Sequence, residues 1–555
     1  MKLERRSFIK LAGLLAVPAL PAVGFSGSST TDAAFTDDAT LLDIGLKKQL
    51  FFDDLLIESV QDVNREFHQP KKCDENPLIV KDKPWEHVLL IRTSSYCVLR
   101  DPKDKLFKAW YSDEGWTNEL VRSSVTWPMY REHYAYSEDG IKWVKPPLGI
   151  YREDGQDTNI FRGDLKTGSA EVFGMIIDPF ESDEAKRYKS IYLQAPVDKN
   201  GQGHSEGARF VISHSADGIH WKDYDKYASF GNHLGDVLIL NYDLDSEMYL
   251  LNARHFLMDG PPPNPRIPLT KSFIPPYYPG NFALENRRRI FQCESKDLIH
   301  WSEPRLILAP DGEDNLDESL YGMVQYRVGD TWIGFVNVLH GVPDTMDVQL
   351  AYSLDGKRWR RIRKPWFTVG PAGSWDQFMV EIATQPIEVG DELWFYYGGN
   401  GYGHHDWYSE WFREGLNIAE KDVNKVGFFL GMAKLRMDGF CSLNAGTVRE
   451  GIFATRQLLS AGKGVLINAE CGPDGYIDVE VLNQADEVMP GCSRKAFDRF
   501  TGNAIRHQLS WQSRTTIPLQ SVPSFHGDTS TPSVSFRRLV FYMRNAKIYS
   551  MQFSD

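Results

Sequence analysis

The sequence predicts an all-β protein, a five-bladed β-propeller followed by a C-terminal β-sandwich. Three observations predict it. A Ser-x-Asp hairpin motif recurs four times, a second hairpin turn precedes each copy, and the strand pattern changes after about Gly446.

Internal repeats fix the architecture of a long chain, so the motif comes first. Its copies are Ser137 with Asp139, Gly140 and Trp143; Ser215 with Asp217, Gly218 and Trp221; Ser295 with Asp297 and Trp301; and Ser353 with Asp355, Gly356 and Trp359. They begin 78, 80 and 58 residues apart. Asp caps the turn, Gly supplies positive φ, and Trp buries its ring as the next strand starts. The motif reads as the outer hairpin of a blade, and its Asp residues as structural. Inner-hairpin turns fall at Asp101-Pro102, Asp178-Pro179, Asp243 to Asp245 and Gly329-Asp330. Two hairpins make a four-stranded blade. A fifth unit runs through 380–389, the turn Gly390-Asp391 and 393–397, and closes through 426–436. Beyond Gly446, alternating segments at 465–468, 476–481, 517–519, 534–542 and 547–553 lack the motif and read as a sandwich. The expected division is a signal over 1–30, a leader over 31–45, a propeller carrying the site over 46–445 and a sandwich over 446–555.

Composition narrows the function. Of 555 residues, 42% are hydrophobic and 25% charged, as in ordinary globular proteins. The 13% aromatic share suits a large β core, and equally rings that stack on sugars. A net charge of −13 argues against nucleic acid as a partner. Arg5-Arg6-Ser7-Phe8-Ile9-Lys10 matches a twin-arginine export signal, with an apolar stretch from Leu11 to Phe25 behind it. The expected location is the periplasm or outside the cell. No later apolar run is long enough to span a membrane, so none is expected in the mature chain. The six cysteines are scattered without a Cys-x-x-Cys pair, which argues against zinc. Cys471 and Cys492 either pair after export or remain thiols.

A five-bladed propeller followed by a sandwich resembles the invertase, levanase and inulinase family, and more loosely the arabinanase and β-xylosidase family (glycoside hydrolase family 32/43-type). The junction at Asp438-Gly439-Phe440 and the stretch from Arg538 to Lys547 look like that architecture. The resemblance implies carbohydrate cleavage. It does not extend to the family's catalytic strings: no Asn-Asp-Pro-Asn is present, and Cys293-Glu294 is a reversed echo of the Glu-Cys acid motif. Arg100-Asp101-Pro102 matches the Arg-Asp-Pro string, but Asp101 aligns with the hairpin turns and is expected far from the axis.

Candidate catalytic groups follow from register. The innermost strand of each blade lines the central channel, and counting back from each inner turn aligns equivalent positions. Glu171 and Asp236 lie seven residues before Asp178 and Asp243; Glu381 lies nine before Gly390; seven to eleven before Val328 come Asp317, Glu318 and Tyr321. Charged groups on strands this apolar need a reason. One carboxylic acid protonating a leaving oxygen while a second activates water or attacks the anomeric carbon is the chemistry of glycoside cleavage. Asp236 and Glu381 are the expected pair, Glu171 their support and Asp317 a substrate contact. Arg92, His133, Arg209, Arg254, His255 and His340 cluster near the same strand ends, with Trp116 as a stacking ring. They suit an anionic sugar, or serve as ion-pair partners of the carboxylates. No cofactor is required. A divalent metal ion has one possible seat, at His404-His405-Asp406.

The expected function is exo-acting hydrolysis of oligosaccharides, with an oligosaccharide or polysaccharide as the partner. Two other readings remain. A lyase or dehydratase would use His, Tyr and Arg on the same scaffold, and a sugar-binding propeller would need no buried carboxylates.

Overall fold

The computed structural model describes residues 41–117, 129–164, 166–200, 202–204, 206–229, 237–255, 287–404, 426–518 and 535–555. These residues are all-β, with no α-helix among them and only short 3-10 turns such as Glu184–Lys186 and Arg494–Ala496. Nor does any helix among them have the length and apolarity to cross a membrane.

Five groups of antiparallel strands, or units, follow one another along the chain, the last two joined in one nine-stranded sheet by a parallel bridge between Met346 and Met379. In the first, Val88–Leu90 and Tyr96–Arg100 both pair with Phe107–Glu114, followed by Tyr130–Ser137 and Ile160–Arg162. The second is Ser169–Ile177, Tyr188–Ala195, Arg209–Ser215 and Trp221–Tyr227. The third is Leu238–Asp243, Met248–His255, Arg289–Ser295 and Arg305–Leu308. Glu318–Val328, Thr331–His340, Thr345–Ser353 and Arg360–Phe367 make the fourth. In the fifth, Met379–Glu381 and Ile387–Val389 pair with Glu392–Asn400, then Phe429–Arg436, and last Lys71–Lys72 from near the start of the chain.

The units touch in chain order, and the fifth returns to the first. Asp101 at the first inner turn accepts from Lys108 at 3.0 Å and from Tyr188 and Arg187 of the second unit. Asp178 accepts from Tyr249 of the third at 2.6 Å, and Asp243 from Arg327 of the fourth at 2.9 Å. Asn337 of the fourth donates to the Ile382 carbonyl of the fifth, and the Phe428 amide donates to the Leu89 carbonyl of the first. Asp101, Asp178 and Asp243 are thus each an ion or hydrogen-bond partner of the next unit, whereas Asp330 at the fourth inner turn pairs with Lys47. Burial alone would raise the Asp101 carboxyl, but the bonds from Tyr188, Lys103 and Lys108 hold it below the ordinary carboxylate range.

The repeated hairpin is an outer turn in all four copies. At Ser215, the Asp217 carboxylate accepts the amides of Ile219 and His220 at 2.8 Å, while the Gly218 amide donates to the Ser215 hydroxyl at 2.9 Å. The copies at Ser137, Ser295 and Ser353 repeat these bonds. Leu298 takes the place of Gly in the third copy and carries its φ of 65°.

The remaining strands form one ten-stranded sheet. Gly464–Leu482 and Ser535–Ser554 pair along their length and break register together at 471–476, where Asn545 has φ 45°. Residues 41–67 belong to this sheet: Leu41–Asp43, Gln49–Leu50, Ile57–Gln61 and Val63–Phe67 pair with strands from 441 to 554. The expected boundaries at 45 and 445 therefore do not follow the pairing, because the chain enters through the C-terminal sheet before beginning the first unit. One buried cluster runs from Phe335, Trp366 and Phe395 through Phe440 to Phe453 and Phe541. All six cysteines are free thiols.

Candidate active site

Two interruptions in inner strands build the site. The first unit's inner strand breaks between Leu90 and Tyr96, and the fifth's between Glu381 and Ile387. Thr93, in the first break, has φ 35°, a conformation a β-branched residue adopts only when its surroundings impose it. What imposes it is visible. The Thr93 hydroxyl donates to a carboxyl oxygen of Glu381, and the Tyr96 hydroxyl donates to the Glu381 carbonyl at 3.0 Å. Two residues along, the Ser95 hydroxyl donates to Glu171 at 2.7 Å. One short turn therefore holds a carboxyl from the second unit and a carboxyl from the fifth.

Their environments are low in dielectric. Glu381 is 1% exposed, and its Oε1 has no hydrogen-bond partner among the described residues. Burial raises its pKa, against the pull of Arg92, Thr93 and Arg254. Burial likewise pushes the Glu171 carboxyl up to about 7, with Glu114 and Glu132 adding to it and Ser95 and Arg92 opposing. Glu114 is buried beside them and accepts from the Tyr130 hydroxyl at 2.7 Å.

The third and fourth units supply cations and a phenol. The Arg254 guanidinium lies 4.1 Å from the Tyr321 ring centre and that of Arg288 4.9 Å. The Tyr321 hydroxyl is 2.8 Å from His404 Nε2. Burial alone would raise this phenol; Arg254, Arg92 and Arg288 bring it below its ordinary value instead.

Of the expected residues, Glu171, Glu381, Arg92 and Arg254 meet here. Asp236, His405 and Asp406 lie outside the described residues, as does the side chain of His255. The others go elsewhere. His133 is buried on the third strand of its unit rather than the inner one, 3.2 Å from Asp113 and stacked on Tyr111. Arg209 is exposed, bonded to Gln194 and lying over Tyr227. Asp317 accepts the Val342 amide at 2.9 Å. His340 sits 3.1 Å from Asp347 and 3.6 Å from Glu318, which raise it against burial. Trp116 packs into the core. Thr93, Ser95, Glu114 and Arg288 were not expected, and Tyr321 was noted only as a position on its strand. Among the described residues no three His, Cys, Asp or Glu side chains are grouped to hold a metal ion.

A separate cavity of about 320 Å³ lies at the inner-turn end, against the C-terminal sheet. In its lining Lys48 pairs with Asp438 and Tyr326 with Glu388.

No protein-family model and no curated protein matches the chain. Similar solved structures include an N-acetylgalactosamine deacetylase from F. plautii, 16% identical over 67% of this chain and 96% of that one, with a TM-score of 0.40. A β-1,2-mannobiose phosphorylase from Listeria innocua is 11% identical over 68% and 98%, with a TM-score of 0.40. A glycosyl hydrolase from Bacteroides ovatus is 13% identical over 70% and 96%, with a TM-score of 0.39. Likeness of this degree says nothing of what the present chain acts on.

Proposed function

We propose that this chain is an exported carbohydrate-active enzyme that hydrolyses glycosidic bonds of oligosaccharides. On this reading the five units are the blades of a propeller and the ten-stranded sheet folds over itself as a sandwich. The observation that carries it is the pair of carboxyls, Glu171 and Glu381, held on either side of the strained Thr93–Ser95 turn. A carboxyl with its pKa near 7 is a competent general acid at neutral pH, and Glu171 has that character. It protonates the departing oxygen. Glu381, with one oxygen fixed by Thr93 and Arg92 beside it, is the second carboxylate, acting on water or on the anomeric carbon. Asp236, which precedes the described third inner strand, is proposed as a third carboxylate. The scheme needs no cofactor. Export rests on the Arg5–Lys10 signal, and replacing Arg5 and Arg6 by Lys is expected to leave the protein in the cytoplasm on fractionation.

Product analysis on a panel of oligosaccharides tests the reaction. Hydrolysis gives a new reducing end without ultraviolet absorbance, and Glu381→Gln is expected to lose turnover while keeping substrate binding. One observation favours a second reading. Tyr321, drawn down by three arginines, suits proton abstraction beside a uronate carboxyl, and that elimination would leave an ultraviolet-absorbing double bond in the product. Products of neither kind, with sugar binding intact and indifferent to Glu381→Gln, would mark a sugar-binding protein instead.

A further inference from the structure

Three guanidinium groups and one phenol, drawn from the first, third and fourth units, converge beside the two carboxyls. Tyr321 is placed there by a β-bulge: the fourth unit's inner pairing shifts register between Leu320 and Gly322, and Tyr321 is the extra residue. Bulges re-aim side chains, and this one turns the phenol toward the cations. Gly322 makes the approach possible, since a Cβ there would meet Thr93 at 3.1 Å and Ile239 at 3.2 Å. Arg254 comes from the strand Met248–His255 of the third unit. Arg288 precedes Arg289–Ser295 and is tied to the bulge through its carbonyl, which accepts the Leu320 amide at 3.0 Å. Arg92 comes from the first unit, its guanidinium 5.2 Å from the Phe428 ring centre.

Holding like charges together away from water is costly unless something repays it. Arg254 is 6% exposed; burial, with Arg288 and Arg92 repelling it, draws its pKa down to about 10. Burial and Arg92 lower Arg288 too. Glu381 and Glu114 face Arg92, and Glu381 also faces Arg254. With those carboxylates present, the potential at Tyr321 is still positive enough to draw the phenol down. A guanidinium is a planar fork of donors matched to an oxyanion, and water exclusion strengthens each such bond.

We propose that Arg92, Arg254 and Arg288 form a subsite for a singly charged oxyanion, carboxylate or sulfate, on the sugar beside the bond that is cleaved. Tyr321 and His404 complete its wall, the phenol donating to the anion or to His404. This rests on the glycoside-cleaving reading, whose substrate class it names.

Calorimetric titration of the whole protein with methyl glucoside, methyl glucuronide and methyl glucoside 6-sulfate, and with the galacto forms of all three, tests it. The expected result is that an anionic probe binds about tenfold or more tighter than its neutral parent. Arg254→Gln and Arg288→Gln are expected to abolish that preference, and Arg288→Lys to restore part of it. A preference for the uronide identifies a carboxylate subsite, and one for the sulfate ester a sulfate subsite. Equal binding of neutral and anionic probes, no binding of any anionic probe, or a preference that survives both Gln substitutions overturns the proposal. Should the Gln variants fail to fold, the wild-type comparison decides. Anionic preference without cleavage of any oligosaccharide would overturn the enzyme reading and leave the subsite standing; cleavage of neutral sugars without preference would do the reverse.

Discussion

As the proposed general acid, Glu171 would tie activity and stability to the same proton. Its carboxyl binds a proton more tightly in the folded chain, at about 7, than the ordinary 4.5. As a general acid it must be protonated, so turnover is expected to fall about tenfold per pH unit above 7. The stability it contributes is fully present below about 4.5 and is lost as pH rises through about 7. Melting temperatures of Glu171→Gln are therefore expected to fall less steeply than wild type between those values. A steeper or identical slope would contradict the assignment. Thr93 acts one step back: Thr93→Ala removes the donor that holds Glu381 and is expected to lower kcat with little change in KM, whereas Thr93→Ser keeps the hydroxyl and most of the rate. At this scale the sequence was half legible. Glu171 and Glu381 stand out because a carboxylate on an apolar strand is costly. Tyr321 and Arg288 do not, since an aromatic on a strand and an Arg at the edge of another are ordinary until a bulge turns the phenol to the guanidinium.

The hairpin element illustrates what a repeat does and does not disclose. Ser, Asp, Gly and Trp at fixed offsets specify a turn by backbone chemistry alone, so its position and structural role are readable from sequence. Asp217 binds two amides and a hydroxyl at an exposed outer turn. Asp217→Ala is expected to cost about 1–2 kcal/mol in denaturant unfolding while leaving kcat/KM unchanged. A loss of activity matching that of the Glu171 variants would move the chemistry to the wrong end of the unit. Strand breaks and bulges are harder to read. Counting back from an inner turn assumes unbroken pairing, yet the second unit shifts register between Val172 and Gly174 and the fourth between Leu320 and Gly322. The count therefore drew attention to Asp317, which binds a loop amide, while the bulge delivered Tyr321 to the site.

Across the whole molecule, the early chain joins the C-terminal sheet to the ring of units. Residues 41–67 pair with the final strands, and Lys71–Lys72 closes the fifth unit. That long-range pairing carries no local signature, which is why a boundary drawn from pattern changes near 446 missed it. The shared core from Phe335 to Phe541 predicts a single cooperative unfolding transition in calorimetry. The fifth unit meets the first closely, since a Cβ at Gly398 would fall 1.8 Å from the Ile91 carbonyl oxygen. Gly398→Ala is expected to destabilise by about 3 kcal/mol and to disturb the Arg92–Ser95 turn, lowering activity as well. On the proposed function, the five units together bring Glu171 and Glu381 to one bond as acid and partner carboxylate. The most direct measurement compares wild type and Glu171→Gln on an oligosaccharide and on an aryl glycoside of the same sugar with a leaving group that needs no protonation. A loss of about 100-fold or more is expected on the oligosaccharide and far less on the activated glycoside. Equal losses on both substrates, or none on either, would contradict the proposal.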